Sequence, residues 1–137
     1  MSKALNYLSI ARRGGNVETG EENSKMLVKM GKARLMFVAK DASDGAKRRA
    51  EGYVFECNTP LIEVPFTKEE ISNATGRPGC SMAAFKDLGL ATSFVEALQA
   101  EYGDEYKEQA EALRAKLAKA AARKGAPRKT GNRRKSI

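Results

Sequence analysis

The stretch TGEENSKMLVKMGKARLMFVAKDAS, residues 19 to 43, contains the pattern on which the predicted fold depends. Charged and apolar residues recur at helical spacing between Gly20 and Gly31, and residues 35 to 39 are continuously apolar. Such an apolar run indicates a strand buried on both faces, in a sheet that helices cover on both sides. We also expect a capping box, in which Thr19 begins the helix and Glu22 follows three residues later.

Helices and short strands alternate on both sides of this stretch. A helix that ends at the Gly14 and Gly15 pair and a strand at residues 16 to 18 precede it. After it the patterns predict a helix from Ser43 to Asn58, a strand at residues 61 to 64, a short helix from the capping residue Thr67 to Gly76, a strand at residues 81 to 85, and a helix after Asp87. The alternation predicts an α/β layered fold, with a small sheet between helices.

The length of 137 residues suits one domain with an appendage. No apolar run approaches the roughly 18 residues that a membrane span needs, and the N-terminus lacks a secretory leader pattern. We therefore expect a cytoplasmic protein without a membrane partner. Cys57 and Cys80 have no Cys or His companion nearby, so we expect them to be small buried apolar residues.

The basic charge is concentrated in the C-terminal quarter. Residues 1 to 103 hold 14 Lys and Arg against 13 Asp and Glu, whereas residues 104 to 137 hold 11 against 4. We predict a domain at residues 1 to 101, a charged helix at 102 to 124 and a disordered basic tail at 125 to 137. This asymmetry suggests an arm that binds a polyanion, and a merely solubilising tail is the alternative. The arm consists of Arg123, Lys124, Arg128, Lys129, Arg133, Arg134 and Lys135.

The sequence offers little for catalysis. It contains no histidine, its serines lie in no nucleophile motif, and it has no phosphate-binding glycine loop. We therefore expect that the protein is not an enzyme and that it binds no cofactor, metal or small-molecule substrate. A binding site is easier to find, because the free amides of a helix that begins at Gly20 attract anions and Asn23, Lys25 and Lys29 follow on that helix.

The residues resemble a known family. Gly20, the step to Gly31 and KARLMFVAKDA at residues 32 to 42 are similar to the kink-turn-binding ribosomal proteins, the archaeal seven-Ae and thirty-e superfamily. The segments KALNYLSIARRGG and TPLIEVPFTKEEI, Gly76 and DLG at residues 87 to 89 are similar to its bacterial YlxQ-type branch. The resemblance covers residues 3 to 98 and implies a three-layer α/β/α sandwich with a four-stranded mixed sheet.

The resemblance also implies an RNA site with two parts. The first is the start of the second helix, where the family pattern of Gly, Thr, Asn, Glu, two residues and Lys reads sheared G and A bases. Only the glycine is retained among the matching positions, which are Gly20, Glu21, Glu22, Asn23 and Met26. The second is the loop before the last strand, which packs on an extruded base and here continues from Gly76 with Arg77, Pro78, Gly79, Cys80 and Ser81.

The resemblance therefore predicts a non-enzymatic, ribosome-associated protein that binds structured RNA, with altered specificity for kink-turns. The alternative is a protein interaction module that uses the acidic helix edge and the C-terminal helix. In that helix, apolar residues repeat every three or four positions, at Tyr106, Ala110, Leu113, Leu117 and Ala120. We expect this apolar seam to dock on the domain or on a partner. Related folds also serve as recognition domains of larger enzymes, so similarity of fold alone does not determine the function.

Overall fold

A four-stranded mixed sheet between two groups of helices forms the domain in the computed structural model, which describes residues 2 to 125. The elements in chain order are α1 (Lys3–Arg13), β1 (Val17–Thr19), α2 (Glu21–Lys29), β2 (Leu35–Val38), α3 (Asp44–Val54), β3 (Leu61–Glu63), α4 (Lys68–Thr75), β4 (Met82–Phe85), α5 (Leu88–Tyr102), a 3₁₀ turn (Asp104–Tyr106) and α6 (Lys107–Gly125).

The sheet has the strand order β1-β4-β2-β3. Strand β4 is antiparallel to both β1 and β2, with Phe85 opposite Val17 on one side and Leu35 on the other. Strand β3 runs parallel to β2, so the sheet is mixed. Every residue of the two central strands is buried, which explains why both read as apolar runs without polar alternation.

Helices cover both faces of this sheet. Helix α1 contacts both α4 and α5 on one face, and α2 and α3 contact each other on the opposite face. Three aromatic rings join α5 to the sheet: Phe94 stacks on Phe37 with centroids 5.4 Å apart and lies 5.0 Å from the ring of Phe85. The predicted three-layer α/β/α sandwich is therefore confirmed.

Helix α6 packs against α5. Tyr106, Ala110 and Leu113 are buried, whereas Leu117 is 36% exposed. The hydroxyl of Tyr106 donates to the carbonyl oxygen of Glu63 at 3.0 Å, and burial is the main cause that raises the pKa of Tyr106 to about 12. The first half of the predicted apolar seam therefore docks on the domain.

Helix α3 is shorter than predicted. It ends at Val54 rather than at Asn58, because Phe55 turns to an extended conformation and Glu56 takes a φ of 65°. Cys57 is consequently half-buried in the turn that follows, and not buried as predicted. Both cysteines are free thiols, and Cys80 is buried as predicted.

The predicted cap of α4 is confirmed. The Thr67 hydroxyl accepts from the Glu70 N–H at 3.1 Å, the Glu70 carboxylate accepts from the Thr67 N–H at 2.9 Å, and the helix ends at a left-handed Gly76. None of the helices within residues 2 to 125 has the length and apolar character that crossing a membrane requires.

Candidate nucleic-acid interface

The start of α2 is held directly by the sheet. Thr19 pairs with Ala83 as the last residue of β1, and the N–H of Gly20 donates to the carbonyl oxygen of Met82 at 2.9 Å. Gly20 is the N-cap and has a φ of 95°, a conformation that favours glycine. The chain thus turns from strand to helix within one residue.

The capping box predicted for this helix is wrong. The Thr19 side chain is buried in the strand, and no side chain caps the N-terminus of α2 within the described residues. The amide of Asn23 instead donates backwards to the carbonyl oxygen of Thr19 at 3.1 Å. The backbone N–H groups of the first turn are therefore uncapped, which is the arrangement that attracts an anion.

The two adjacent glutamates have different surroundings. The carboxylate of Glu21 accepts from Arg49 Nε at 2.6 Å and from a terminal guanidinium nitrogen of Arg49 at 3.0 Å, and it also accepts from the hydroxyl of Tyr53. These hydrogen bonds, that of Arg49 first, lower the pKa of Glu21 to about 2. Glu22 is exposed and forms no salt bridge within residues 2 to 125. Of the two glutamates, Glu22 is therefore the one whose carboxylate has no ion-pair partner within residues 2 to 125.

Loop 77–81 lies beside the helix start. A cleft of about 290 Å³ is lined by residues of both: Thr19, Gly20, Arg77, Pro78, Gly79 and Cys80. The loop is tied to α4, because Ser72 accepts from the N–H of Arg77 through its carbonyl at 3.2 Å and from the N–H of Cys80 through its hydroxyl at 3.1 Å. The structure therefore brings the two predicted parts of the site together.

The exposed positions of this loop are Arg77, Pro78 and Gly79. Cys80 is buried, and burial is the main cause that raises the pKa of its thiol. Its sulfur donates to the carbonyl oxygen of Met82 at 3.5 Å. Burial and the hydrogen bond to Met82 are typical of a structural thiol that supports the loop.

A second depression adjoins the loop on the side of α3 and α4. It has a volume of about 780 Å³ and shares Pro78 and Gly79 with the smaller cleft. Arg49 and Lys68 contribute positive charge to its wall and Glu69 contributes negative charge. We call the helix start and the loop together the α2–loop edge and define it as residues 20 to 26 and 77 to 81; both clefts adjoin this edge.

The remaining predicted residues of α2 lie at different distances from the helix start. Lys25 lies with its ammonium nitrogen 5.5 Å from the ring centroid of Tyr53, and Met26 is 59% exposed. Lys29 lies in the last turn, roughly 13 Å from the helix start, and lines a different groove together with Arg123. The α2–loop edge therefore does not include Lys29.

The predicted basic arm falls mostly outside the described residues. Arg123 is exposed on α6, whereas the side chain of Lys124 is not described. Arg128, Lys129, Arg133, Arg134 and Lys135 lie beyond residue 125, where the description ends.

Arg49 and Tyr53 were not identified from the sequence. They are four residues apart on α3, and their partner Glu21 is 28 positions before Arg49. The only available signal was the basic run of residues 47 to 49, which does not indicate a partner. For metals, residues 2 to 125 contain no group of three or more ligating side chains that could hold an ion.

Comparison with known proteins gives a consistent assignment. The sequence matches no family model. It is 34% identical over 97 residues to the RNA-binding protein YlxQ of Enterococcus faecium, a match that covers 71% of this chain and 92% of that protein.

Two solved structures share the fold. A protein of unknown function from Bacillus halodurans C superposes with a TM-score of 0.67 at 22% identity, covering 72% of this chain and 99% of that one. The 15.5kD RNA binding protein of Giardia lamblia superposes with a TM-score of 0.59 at 18% identity, covering 80% of this chain and 85% of that one. The sequence match spans nearly the whole of the Enterococcus faecium protein, and on that evidence the chain belongs to the YlxQ family.

Proposed function

We propose that this protein is a non-enzymatic, cytoplasmic RNA-binding protein that associates with ribosomal RNA and recognises a kink-turn-like bend through the α2–loop edge. The observation that carries the proposal is the cleft in which the uncapped start of α2 faces the loop with Arg77 and Pro78. The Enterococcus faecium relative bears the name RNA-binding protein, which supports the same function.

Each part of the edge suits one feature of a bent RNA. The first-turn N–H groups of α2 and the amide of Asn23 offer polar contacts to base edges and phosphates. Pro78 offers an apolar surface for an unstacked base, and the planar guanidinium of Arg77 can stack on a base or contact a phosphate. Unstacked bases are where proteins read RNA sequence, so a bend is a better ligand than a regular duplex.

The charge of the edge is nearly balanced. Glu21 and Arg49 cancel each other in a bidentate pair, and Glu22 opposes Lys25 within the same helix. Such an edge distinguishes one RNA from another by the geometry of its contacts more than by electrostatic attraction, because electrostatic attraction to RNA depends mainly on neutralising phosphates. We therefore assign general affinity to basic residues elsewhere, including Arg123, Lys124 and the basic residues of 126 to 137.

The alternative function, a protein interaction module, loses its main support. It uses the apolar seam of the C-terminal helix, but Tyr106, Ala110 and Leu113 already pack on the domain. Of this alternative's surfaces, Leu117 and the acidic helix edge at Glu22 stay exposed.

The test is a titration of the full chain by fluorescence anisotropy at about 0.15 M salt, where non-specific attraction is partly screened. One RNA contains a standard kink-turn, and the second is identical except that its sheared G·A pairs are replaced by Watson–Crick pairs. We expect the kink-turn to bind at least about tenfold more tightly, equivalent to about 1.4 kcal/mol. Equal affinities would remove kink-turn recognition from the proposal.

A pair of variants locates the contact. Arg77→Ala should weaken binding of the kink-turn RNA by about tenfold, because it removes a contact at the edge. Arg13→Ala is the matched control, since Arg13 is exposed at the end of α1 and lines none of the three clefts. Equal losses in both variants would mean that Arg77 acts only through net charge.

A further inference from the structure

A basic groove lies at the end of the sheet opposite the α2–loop edge. The edge adjoins Met82, where β4 begins, whereas the groove adjoins Phe85 and Lys86, where β4 ends. Its walls come from the end of α2 with the turn before β2, the segment before β3, the start of α5 and the last turns of α6, and its volume is about 820 Å³. The groove and the edge are therefore separate surfaces.

Positive side chains dominate the lining of this groove. Six Lys and Arg residues contribute to it against one carboxylate, that of Asp87; they are Lys29, Arg34, Lys86, Lys116, Lys119 and Arg123. The Asp87 carboxylate accepts from the N–H of Leu90 at 2.8 Å as the N-cap of α5. The groove therefore has a strong excess of positive charge.

Most of these charges are uncompensated within the protein. Lys86 pairs with Glu18 at 3.0 Å, and the ammonium of Lys116 donates to the carbonyl oxygen of Asn58 at 3.4 Å. Within residues 2 to 125, the other four cations form no salt bridge; they are Lys29, Arg34, Lys119 and Arg123. Gathering like charges without partners is unfavourable in the free protein, and an anion that binds there relieves this repulsion.

The arrangement fits an extended polyanion. Lys116, Lys119 and Arg123 follow each other at spacings of three and four on α6, which places them along one face over about 10 Å. One strand of B-form DNA presents a phosphate about every 3.4 Å of helix axis, and phosphates are at least as closely spaced along an RNA stem, so this row can meet several phosphates of one strand. In sequence, residues 126 to 137 contain five Lys and Arg and no acidic residue.

We propose that this groove binds the phosphate backbone of an RNA stem, so that the domain contacts RNA at both ends of its sheet. The proposal rests on the RNA-binding function proposed above and adds a second surface to it. The groove supplies salt-dependent affinity for any stem, whereas the α2–loop edge supplies discrimination for the bend.

The experiment compares two full-length triple variants with equal net charge. The groove variant carries Arg34→Gln, Lys119→Gln and Arg123→Gln, and the control carries Lys3→Gln, Arg48→Gln and Lys107→Gln. All six residues are exposed and unpaired by salt bridges within residues 2 to 125, and the control residues line none of the three clefts. Thermal denaturation checks that both variants fold as the wild type does.

Binding of a kink-turn RNA with long stems is measured from about 50 to 200 mM salt. In the groove variant, the slope of log K against log salt should become shallower by about 2 to 3, because each lost phosphate contact removes 0.7 to 0.9. In the control it should change by less than about 1. The ratio of affinities for the intact and the G·A-disrupted RNA should stay the same in the groove variant.

A second measurement requires no substitution. Acetylation of lysines with an activated ester, read by mass spectrometry, should slow at Lys119 when the long-stem RNA is added and remain unchanged at Lys3. Equal slopes in the two variants, or equal acetylation of Lys119 with and without RNA, would refute the proposal that the groove binds RNA and would leave the RNA-binding function itself untouched. Failure of the wild type to bind either RNA would instead overturn the RNA-binding function itself.

Discussion

Replacement of Glu21 by glutamine tests the link between α2 and α3. The substitution keeps the shape of the side chain and removes the charge that Arg49 and Tyr53 contact. We expect the variant to be less stable at neutral pH and to bind RNA more tightly, since Arg49 lines the cleft beside the loop and would lose its internal partner. Stability and affinity should thus change in opposite directions.

The magnitude follows from the pKa of Glu21. A decrease from 4.5 to about 2 corresponds to an upper limit of about 3 kcal/mol in the free energy of unfolding. Water screens this pair, because the Glu21 side chain is 28% exposed and that of Arg49 is 54% exposed. Exposed pairs contribute at most about 1 kcal/mol, so we expect a loss of about that size.

The sign of the pH dependence is fixed by the same values. The pKa of Glu21 is lower in the folded state, so the stabilisation is complete above about 4.5 and disappears as the pH falls towards about 2. Urea denaturation of wild type and Glu21→Gln between pH 7 and pH 3 measures the difference. It should be largest at neutral pH and shrink through the acidic range.

The control for this experiment is Glu22→Gln. It removes the same charge one position away, from an exposed carboxylate that has no salt bridge within the described residues. It should change the free energy of unfolding by no more than about 0.5 kcal/mol, through the loss of a favourable helix-dipole interaction. Equal effects of the two substitutions at pH 7, or a pH-independent difference for Glu21→Gln, would refute the assigned role of the Arg49 contact.

Two further predictions concern the scaffold. Leu113→Ala should lower the free energy of unfolding by about 3 kcal/mol, because Leu113 is fully buried. Leu117→Ala should lower it by only about 1 kcal/mol, because Leu117 is 36% exposed. Urea denaturation measures both, and equal effects would show that α6 does not dock as described. Gly20→Ala should cost more than about 1 kcal/mol at its φ of 95°, whereas Gly52→Ala inside α3 should stabilise by about 0.5 kcal/mol. Thermal melts compare the glycine pair, and a stable Gly20→Ala would contradict the glycine requirement at the turn.

The fold was predictable where neighbouring residues determine the structure. The apolar run of β2 and the capping box at Thr67 both match the structure. The same spacing at Thr19 gave a wrong prediction, because Thr19 is committed to a strand by its pairing with Ala83. The local sequence is compatible with Thr19 either as a helix cap or as a strand residue. Its pairing with Ala83, more than 60 residues away, selects the strand.

The candidate site was predictable only in part for a related reason. The resemblance supplied the α2–loop edge, but the chain folds α3 back so that Arg49 meets Glu21. Two charges that appear separate in the sequence thereby cancel. Counting acidic and basic residues along the chain therefore overestimates how acidic this edge is.

At the other end of the sheet, the fold gathers positive charges that are far apart in the sequence. Residues 1 to 103 are almost neutral in sum, so nearly all of the basic surplus of the sequence lies in the C-terminal quarter. The fold brings Lys29, Arg34 and Lys86 from that neutral part next to the cations of α6. Helix α6 is docked through Leu113 and the adjoining Tyr106, so that Arg123 lies in a groove of the same sign. A charged helix that docks in this way determines where on the domain a polyanion is attracted, which net charge alone cannot do.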